Sequence, residues 1–321
     1  MRKRLLAYII LAAAGLVASC TKNTVDLPDS RFISFAPVAE KSTKTIIDGT
    51  TYPDGESFVV SAYHEGVDLY FEDLTAGYAI TQNGTKLWET SESQYWPLDG
   101  SLTFNAFSPA SAAASGVTID ADGISASGFT IPDQMTTDLC FASATVADCS
   151  DHPEYVSLVF SHALSQVVFQ AKAAAYYANT TVSLTSLSLQ GIYSVGDFTD
   201  GEWENQDTEH TYTLSNTSTA LTYSGTTPVA SNVCSYLYLP QTFGPNASLR
   251  VGYSITQRVS DTDYTLTNPP VSIPLSGSIT QWEPGKKYIY TINIGMDNVI
   301  TFTASAVGWV DNSDNIIVEE N

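Results

Sequence analysis

The sequence predicts an all-β protein of sandwich type. Short runs that alternate apolar and polar residues recur along it, and Gly, Pro, Asn and Asp punctuate them. The runs are rich in Thr, Ser, Tyr, Val and Ile, which suit a pleated, half-buried surface. No stretch sustains a helical apolar period, and no short internal repeat is visible.

The elements follow in order. Arg31 directly precedes a strand-like run, Phe32 to Val38. Ser57 to Tyr63 lies between Pro53-Asp54-Gly55 and Glu65-Gly66, both turn signals. Leu102, Phe104 and Ala106 alternate after the turn dipeptide Asp99-Gly100. Val156, Leu158 and Phe160 alternate after Asp151-His152-Pro153. Ala163 to Ala178 is alanine-rich, yet Val167, Val168, Phe169, Tyr176 and Tyr177 favour strand over helix. Tyr236 to Leu239 is a short strand stopped by Pro240. Tyr288, Tyr290, Ile292 and Ile294 alternate after Pro284-Gly285. The acidic loop Asp148 to Glu154 and the strand after it set a domain boundary near Ser161, giving domains over 45–160 and 161–321.

The leading segment has a different composition. Arg2, Lys3 and Arg4 form a basic head, and the apolar run Leu5 to Val17 is about two-thirds of the length a bilayer span needs. Val17-Ala18-Ser19-Cys20 then places a cysteine directly after small residues. This resembles the lipobox of bacterial lipoproteins. The resemblance implies a signal peptide over 1–19, export, and acylation of Cys20. Each buried CH₂ adds about 0.8 kcal/mol, so several acyl chains would anchor Cys20 durably to a membrane.

Charge excludes one class of partner. Asp and Glu number 34 against 13 Lys and Arg, a net charge of −21. Nucleic acid needs a basic patch, and none is present. Beyond Cys20 the cysteines are Cys140, Cys149 and Cys234. An odd number allows one bridge or none, and whether Cys140 and Cys149 pair is left open. No CxxC pair or zinc spacing occurs.

Catalytic signatures do not assemble. The histidines are His64, His152, His162 and His210, and none lies in a metal-binding pair. His162 shares a strand face with Phe160 and Leu164, so a packed or capping role is expected; Ser161 points to the other face. There is no G-x-S-x-G elbow, Walker loop or G-x-G-x-x-G. Asp261 and Asp263 give only a fragment of a calcium loop. The sequence therefore offers no catalytic residue, metal site or cofactor. Trp96, Trp282 and Trp309 flank turns and read as core plugs. Trp88 and Trp203 lie among polar residues and are expected at the surface, against a receptor or a neighbouring subunit.

Tyr95 to Pro109, Asp138-Leu139 with Ala142, Val156 to Leu164, Trp282 to Tyr288 and Ile300 to Trp309 together resemble the fimbrillin family, the subunits of type V pili. Tyr95-Trp96-Pro97-Leu98-Asp99-Gly100 followed by Leu102 to Pro109 is similar to its W-P-x-D-G … F-x-A-(Y/F)-S-P run. Asp138-Leu139 with Ala142 resembles D-L-(L/M)-x-A. Val156 to Leu164 resembles V-x-L-x-F-x-H-A-L. Trp282 to Tyr288 resembles the W-x-P-G turn, and Ile300 to Trp309 the closing strand. The family implies two tandem β-sandwich domains of transthyretin-like topology, displayed as a lipoprotein at the outer-membrane surface. It implies a trypsin-like protease that cuts after Arg or Lys near the start. The first strand is then removed, and a strand from another subunit fills the gap. Partners would be other fimbrial subunits and a host or bacterial surface receptor.

The residues give this scheme places. Lys22, Arg31, Lys41 and Lys44 crowd the leading segment, while only six basic residues serve 45–321. Lys44 is the favoured cut, then Lys41, then Arg31, in a tether and first strand spanning 20–44. Lys41 and Lys44 sit in polar, turn-rich EKSTKT, where nicking is easy. Phe32, Ile33, Phe35 and Val38 are too apolar for a free tether and mark the strand to be displaced. Ile316, Ile317 and Val318 form an apolar cluster that is either an edge strand of its own domain or the donated strand. The alternative function is a glycan-binding surface lipoprotein that uses exposed aromatics.

Overall fold

Alternation turns most of the described chain into strand. The computed structural model describes residues 31–39, 52–277, 279–296 and 299–309. Cys20, Lys41, Lys44, Ile316, Ile317 and Val318 lie outside the described residues. Among the described residues no helix is long and apolar enough to cross a membrane.

Among the described residues, nine strands precede Ala163. They are β1 (Phe35–Ala39), β2 (Phe58–His64), β3 (Asp68–Gln82), β4 (Thr85–Thr90), β5 (Leu102–Ser108), β6 (Val117–Ile119), β7 (Ile124–Thr130), β8 (Cys140–Val146) and β9 (Val156–His162). Seven of them close a barrel in the order β1-β4-β3-β2-β5-β8-β9. The predicted runs at 57–63, 102–106 and 156–160 become β2, β5 and β9, so the turn dipeptides placed them correctly. The inward residues of this barrel, among them Phe35, Phe58, Trp88, Phe104, Leu158 and Phe160, form one apolar core.

The rest of the chain builds a second core. Here lie β10 (Ser165–Ala173), β11 (Thr180–Thr199), β12 (Glu202–Ser215), β13 (Thr219–Ala220), β14 (Thr222–Ser224), β15 (Thr227–Val229) and β16 (Ser231–Tyr238). β17 (Gln241–Thr242), β18 (Ser248–Val259), β19 (Thr262–Pro274), β20 (Gln281–Trp282), β21 (Lys286–Ile294) and β22 (Ile300–Gly308) complete it. One sheet runs β16-β10-β21-β22. A second runs β19-β18-β11-β7-β6, with β12 and β13 also paired to β11. Val167 and Phe169 from the first sheet share a core with Leu187, Leu189 and Tyr253 from the second. The segment Val117 to Thr130 precedes Ser161 in sequence, yet β7 pairs with β11 across Thr130↔Val195 and Phe129↔Gly196. The first half of the chain therefore supplies residues to both cores.

Cys140 and Cys149 are both buried, and neither they nor Cys234 form a bridge. That answers the pairing question left open by the cysteine count.

Glycine has a definite task in β11. The ladder with β12 slips between Gln190 and Ile192, and Gly191 between them has φ +67°. A Cβ there would lie 2.5 Å from the carbonyl of Asn246, which is backbone and cannot swing aside. Gly191→Ala is expected to destabilise the protein by about 1–3 kcal/mol in urea unfolding. Gly77→Ala, where a Cβ meets nothing within 4 Å, should stay within about 0.5 kcal/mol of the parent. Equal effects at both positions would contradict the bulge assignment.

Candidate functional site

The first-strand segment is where the fold is least self-sufficient. In the segment RFISFAPVA every residue from Ile33 to Pro37 is buried, and the large apolar side chains among them, Ile33 and Phe35, are the most enclosed. Phe35 is fully enclosed and meets Phe58 and Phe104 edge-on, at centroid distances of 5.7 and 5.6 Å. Phe32 and Val38 are half-buried, so only two of the four residues predicted to leave the core with this strand fill it. Phe32 lies instead against Tyr95, 4.4 Å between ring centroids. Val38 stands opposite the exposed Val159. Pro37, opposite Leu158, is the inward residue that the sequence reading missed.

The hydrogen bonding of β1 is lopsided. Along β9 it forms a parallel ladder from Phe35↔Val156 to Ala39↔Phe160. On its other edge the described residues give one pair with β4, Phe35↔Trp88, and an isolated bridge just before it, Phe32↔Tyr95. Two further bonds flank the ladder: Val156 N–H donates to the Ser34 carbonyl (2.8 Å), and Ile33 N–H donates to the Gln94 carbonyl (2.9 Å). Pro37 brings no N–H of its own. β1 is thus a closing stave, fixed along one edge and thinly held along the other.

Its removal has a calculable consequence. Burying a large apolar side chain contributes about 1.5–3 kcal/mol, so Ile33 and Phe35 hold β1 in place by several kcal/mol. Without them, a slot lined by Phe58, Trp88, Phe104 and Phe160 opens between β4 and β9. Both strands would then present unpaired backbone edges, which template the addition of another chain.

Trp88 is a wall of this slot and not a surface contact, which corrects the sequence expectation. It is 1% exposed, donates from Nε1 to the Glu56 carbonyl (3.2 Å), and packs edge-on to Tyr52. Its polar neighbours misled because β4 alternates and Glu89 takes the outer face. Trp203 is likewise no free platform. It is half-buried, packs on Phe129 and Phe198, and donates from Nε1 to the Ala163 carbonyl (2.6 Å).

A second cluster sits where the two cores meet. His162 ends β9, and its Nδ1–H donates to Asp138. The Cys140 thiol lies 3.5 Å from Asp138 Oδ2 and 3.6 Å from His162 Nδ1. The His162 ring stacks on Trp309, 4.1 Å between centroids. Trp309 N–H donates to the Gly285 carbonyl, and Gly285 N–H donates to the Leu164 carbonyl (3.0 Å). The Asp-Leu pair, the H-A-L strand, the W-x-P-G turn and the closing Trp therefore meet at one seam. The packed role expected of His162 is the one it has.

Asp138, Cys140 and His162 form the group among the described residues whose donor atoms could hold a metal ion. As a nucleophile Cys140 is poorly placed. Burial, and then the Asp138 charge, push its thiol well above the usual range, so it stays protonated. The histidine nitrogen nearest it is already engaged by Asp138. The cluster acts as a buried polar clasp between elements distant in sequence.

Two outcomes test this geometry. Phe35→Ala should cost about 3–5 kcal/mol in chemical unfolding, as expected for a fully enclosed aromatic; a loss below about 1 kcal/mol would mean that β1 is not part of the core. In the native protein, Cys140 and Cys149 should resist alkylation at neutral pH and react once denaturant is added. Rapid labelling of Cys140 in the folded state would contradict the buried clasp, and of Cys149 the closed first core.

The comparisons with known proteins come to the same architecture. The sequence pattern of the fimbrillin-like family matches residues 39–309, beginning at the last residue of β1. No curated protein sequence matches the chain. Among solved structures, a candidate cell adhesion protein from Bacteroides eggerthii is similar: 14% identity, covering 88% of this chain and 97% of that one, with a TM-score of 0.52. Another, from Parabacteroides distasonis, shares 10% identity over 88% of this chain and 100% of its own, with a TM-score of 0.50. At such identities the likeness is one of fold. The family pattern spans most of the sequence, and this chain belongs to the fimbrillin-like family.

Proposed function

We propose that the chain is a structural and adhesive subunit of a surface fimbria, assembled by strand exchange after proteolysis. In this reading it is exported as a lipoprotein, and acyl chains on Cys20 hold it at the outer-membrane surface. A trypsin-like protease cuts behind β1, the strand leaves, and a segment of a second subunit occupies the slot between β4 and β9. The apolar residues Ile316, Ile317 and Val318 supply the donated segment. The observation that carries the reading is the position of β1: it closes the barrel, fills its core with Ile33 and Phe35, and is bonded mainly along one edge.

Chain order narrows the cleavage site. Arg31 precedes β1, so a cut after it would leave the strand joined to the barrel. Lys41 and Lys44 follow β1, and a cut after either would separate it. Cleavage alone does not eject the strand, because the ladder and the two buried side chains still hold it. An incoming segment must compete for the same backbone groups and the same apolar pockets, which strand addition does without cofactor or nucleotide.

Limited trypsin treatment of residues 21–321 tests the scheme. The expected product begins at Ser42 or Thr45, releases a fragment containing β1, and forms ladders on incubation. Lys41→Ala with Lys44→Ala should block both cleavage and laddering. Deleting 310–321 should leave cleavage intact and abolish the ladders. A product cut behind β1 that remains monomeric at high concentration would overturn the assembly scheme.

A further inference from the structure

At one end of the second core, the turn between β10 and β11 faces the tip of the β18–β19 hairpin. An open cleft of about 510 Å³ lies between them, within the ~300–1,000 Å³ span of small-molecule sites. Its lining includes Tyr176, Tyr177, Asn179, Tyr223, Arg258 and Asp263. We propose that this cleft is a binding subsite for a neutral saccharide, with Tyr176 as the stacking platform and Tyr223, Asn179 and the Arg258–Asp263 pair as hydroxyl contacts.

The aromatic part has the right form. Tyr176 is 46% exposed, and its ring meets that of Tyr223 edge-on at 5.5 Å and 86°. This contact steadies Tyr176 while leaving much of it open to solvent. Tyrosine presents a large amphipathic surface at low conformational cost, which suits a ligand with C–H faces and hydroxyl edges. Trp88 and Trp203 cannot play this part, since the fold has taken both into its packing.

The polar part calls for a ligand. The Tyr223 hydroxyl is buried and has no hydrogen-bond partner in the protein. Burying a hydroxyl without a partner is unfavourable, and a saccharide oxygen would satisfy it once the Tyr176 ring, which packs against Tyr223, shifts on binding. Burial, and then the neighbouring Tyr177 and Tyr176 phenols, keep Tyr223 protonated and hence a donor.

The cleft is also preformed. Asn179 adopts a left-handed backbone, φ 54°, and its carbonyl accepts the Arg258 N–H (2.8 Å). Thr180 N–H donates to the Tyr177 carbonyl (3.2 Å), and the Thr180 hydroxyl donates to the Ala178 carbonyl (3.1 Å). The turn bearing both tyrosines is thus tied to the strand bearing Arg258, and little order must be gained on binding.

Charge selects the class of sugar. Arg258 pairs with Asp263 at 3.3 Å and with Asp261 at 3.6 Å, so its charge is already answered. The chain as a whole carries −21. Both facts work against uronic, sialic or phosphorylated sugars and favour uncharged ones.

The experiment is calorimetric titration of the uncleaved chain, residues 21–321, with maltohexaose, cellohexaose and mannohexaose. At least one should bind at one site per chain, with little dependence on salt. Tyr176→Ala should weaken that binding at least about tenfold, equivalent to about 1.4 kcal/mol. Tyr223→Phe keeps the ring, removes only the hydroxyl, and should weaken it about threefold or more. Thermal melting of both variants should match the parent. No binding by any of the three sugars, or binding that survives both substitutions unchanged, would overturn the proposal. Because the chain is uncleaved throughout, either failure leaves the strand-exchange reading untouched.

Discussion

The barrel is complete only because a strand from the extreme start of the described chain lies between β4 and β9. In this order β1 alone joins β4 to β9, and a ring opened there leaves two backbone edges and an aromatic slot facing water. Everything else in the first core is arranged around that stave. Phe35 is clamped by Phe58 and Phe104, and Trp88 stands opposite it on β4. Yet the stave is attached unequally, with a run of pairs to β9 and one to β4. An element both necessary to the core and weakly bonded along one side is well suited to replacement by an equivalent segment.

The second core also draws on the first half of the chain, through β6 and β7, but it does not depend on the leading strand. Its long strands β11, β12, β18 and β19 come from one continuous part of the chain, and its two sheets enclose a shared apolar interior. The seam at His162 joins this part to the barrel. The Asp138 carboxylate, the imidazole and the Trp309 ring are stacked or bonded in sequence, and Gly285 ties the last strand to the junction. A buried polar cluster of this kind has low tolerance for rearrangement, because any displaced member loses its partner in a poorly solvated place. In the proposed assembly, that stiffness would hold the second core still while β1 is exchanged.

Much of this was legible in the residues, for a physical reason. Strands marked by Asp-Gly or Pro-Gly turns (β2, β5 and β21) or by alternation after a proline loop (β9) emerged where expected, because pattern and turn chemistry agreed. The longest strand, β11, escaped notice even though Val182, Leu184, Leu187, Leu189, Ile192 and Phe198 are its buried residues. Its inward phase slips twice, after Leu184 and around Gly191, so no single alternation runs through it. Trp88 and Trp203 were misplaced because polar sequence neighbours say nothing about which face a strand residue takes. The apolar character of Ile33 and Phe35 was visible; their partners were not, since β4 and β9 lie far from them along the chain. The gathering of Asp138, His162, Gly285 and Trp309 at one seam is a property of topology and could not be read from spacing.

The most direct test of the account is competition by the stave itself. A synthetic peptide of residues 31–39, RFISFAPVA, is added to chain that has been cut behind β1 and freed of the original strand. The account predicts that one peptide binds per chain, restores protection of the β9 amides from hydrogen exchange, and stops ladder growth, whereas a peptide with Phe35→Asp does none of these. Ladders that grow undiminished beside saturating peptide, or β9 amides equally protected with the strand gone, would contradict it.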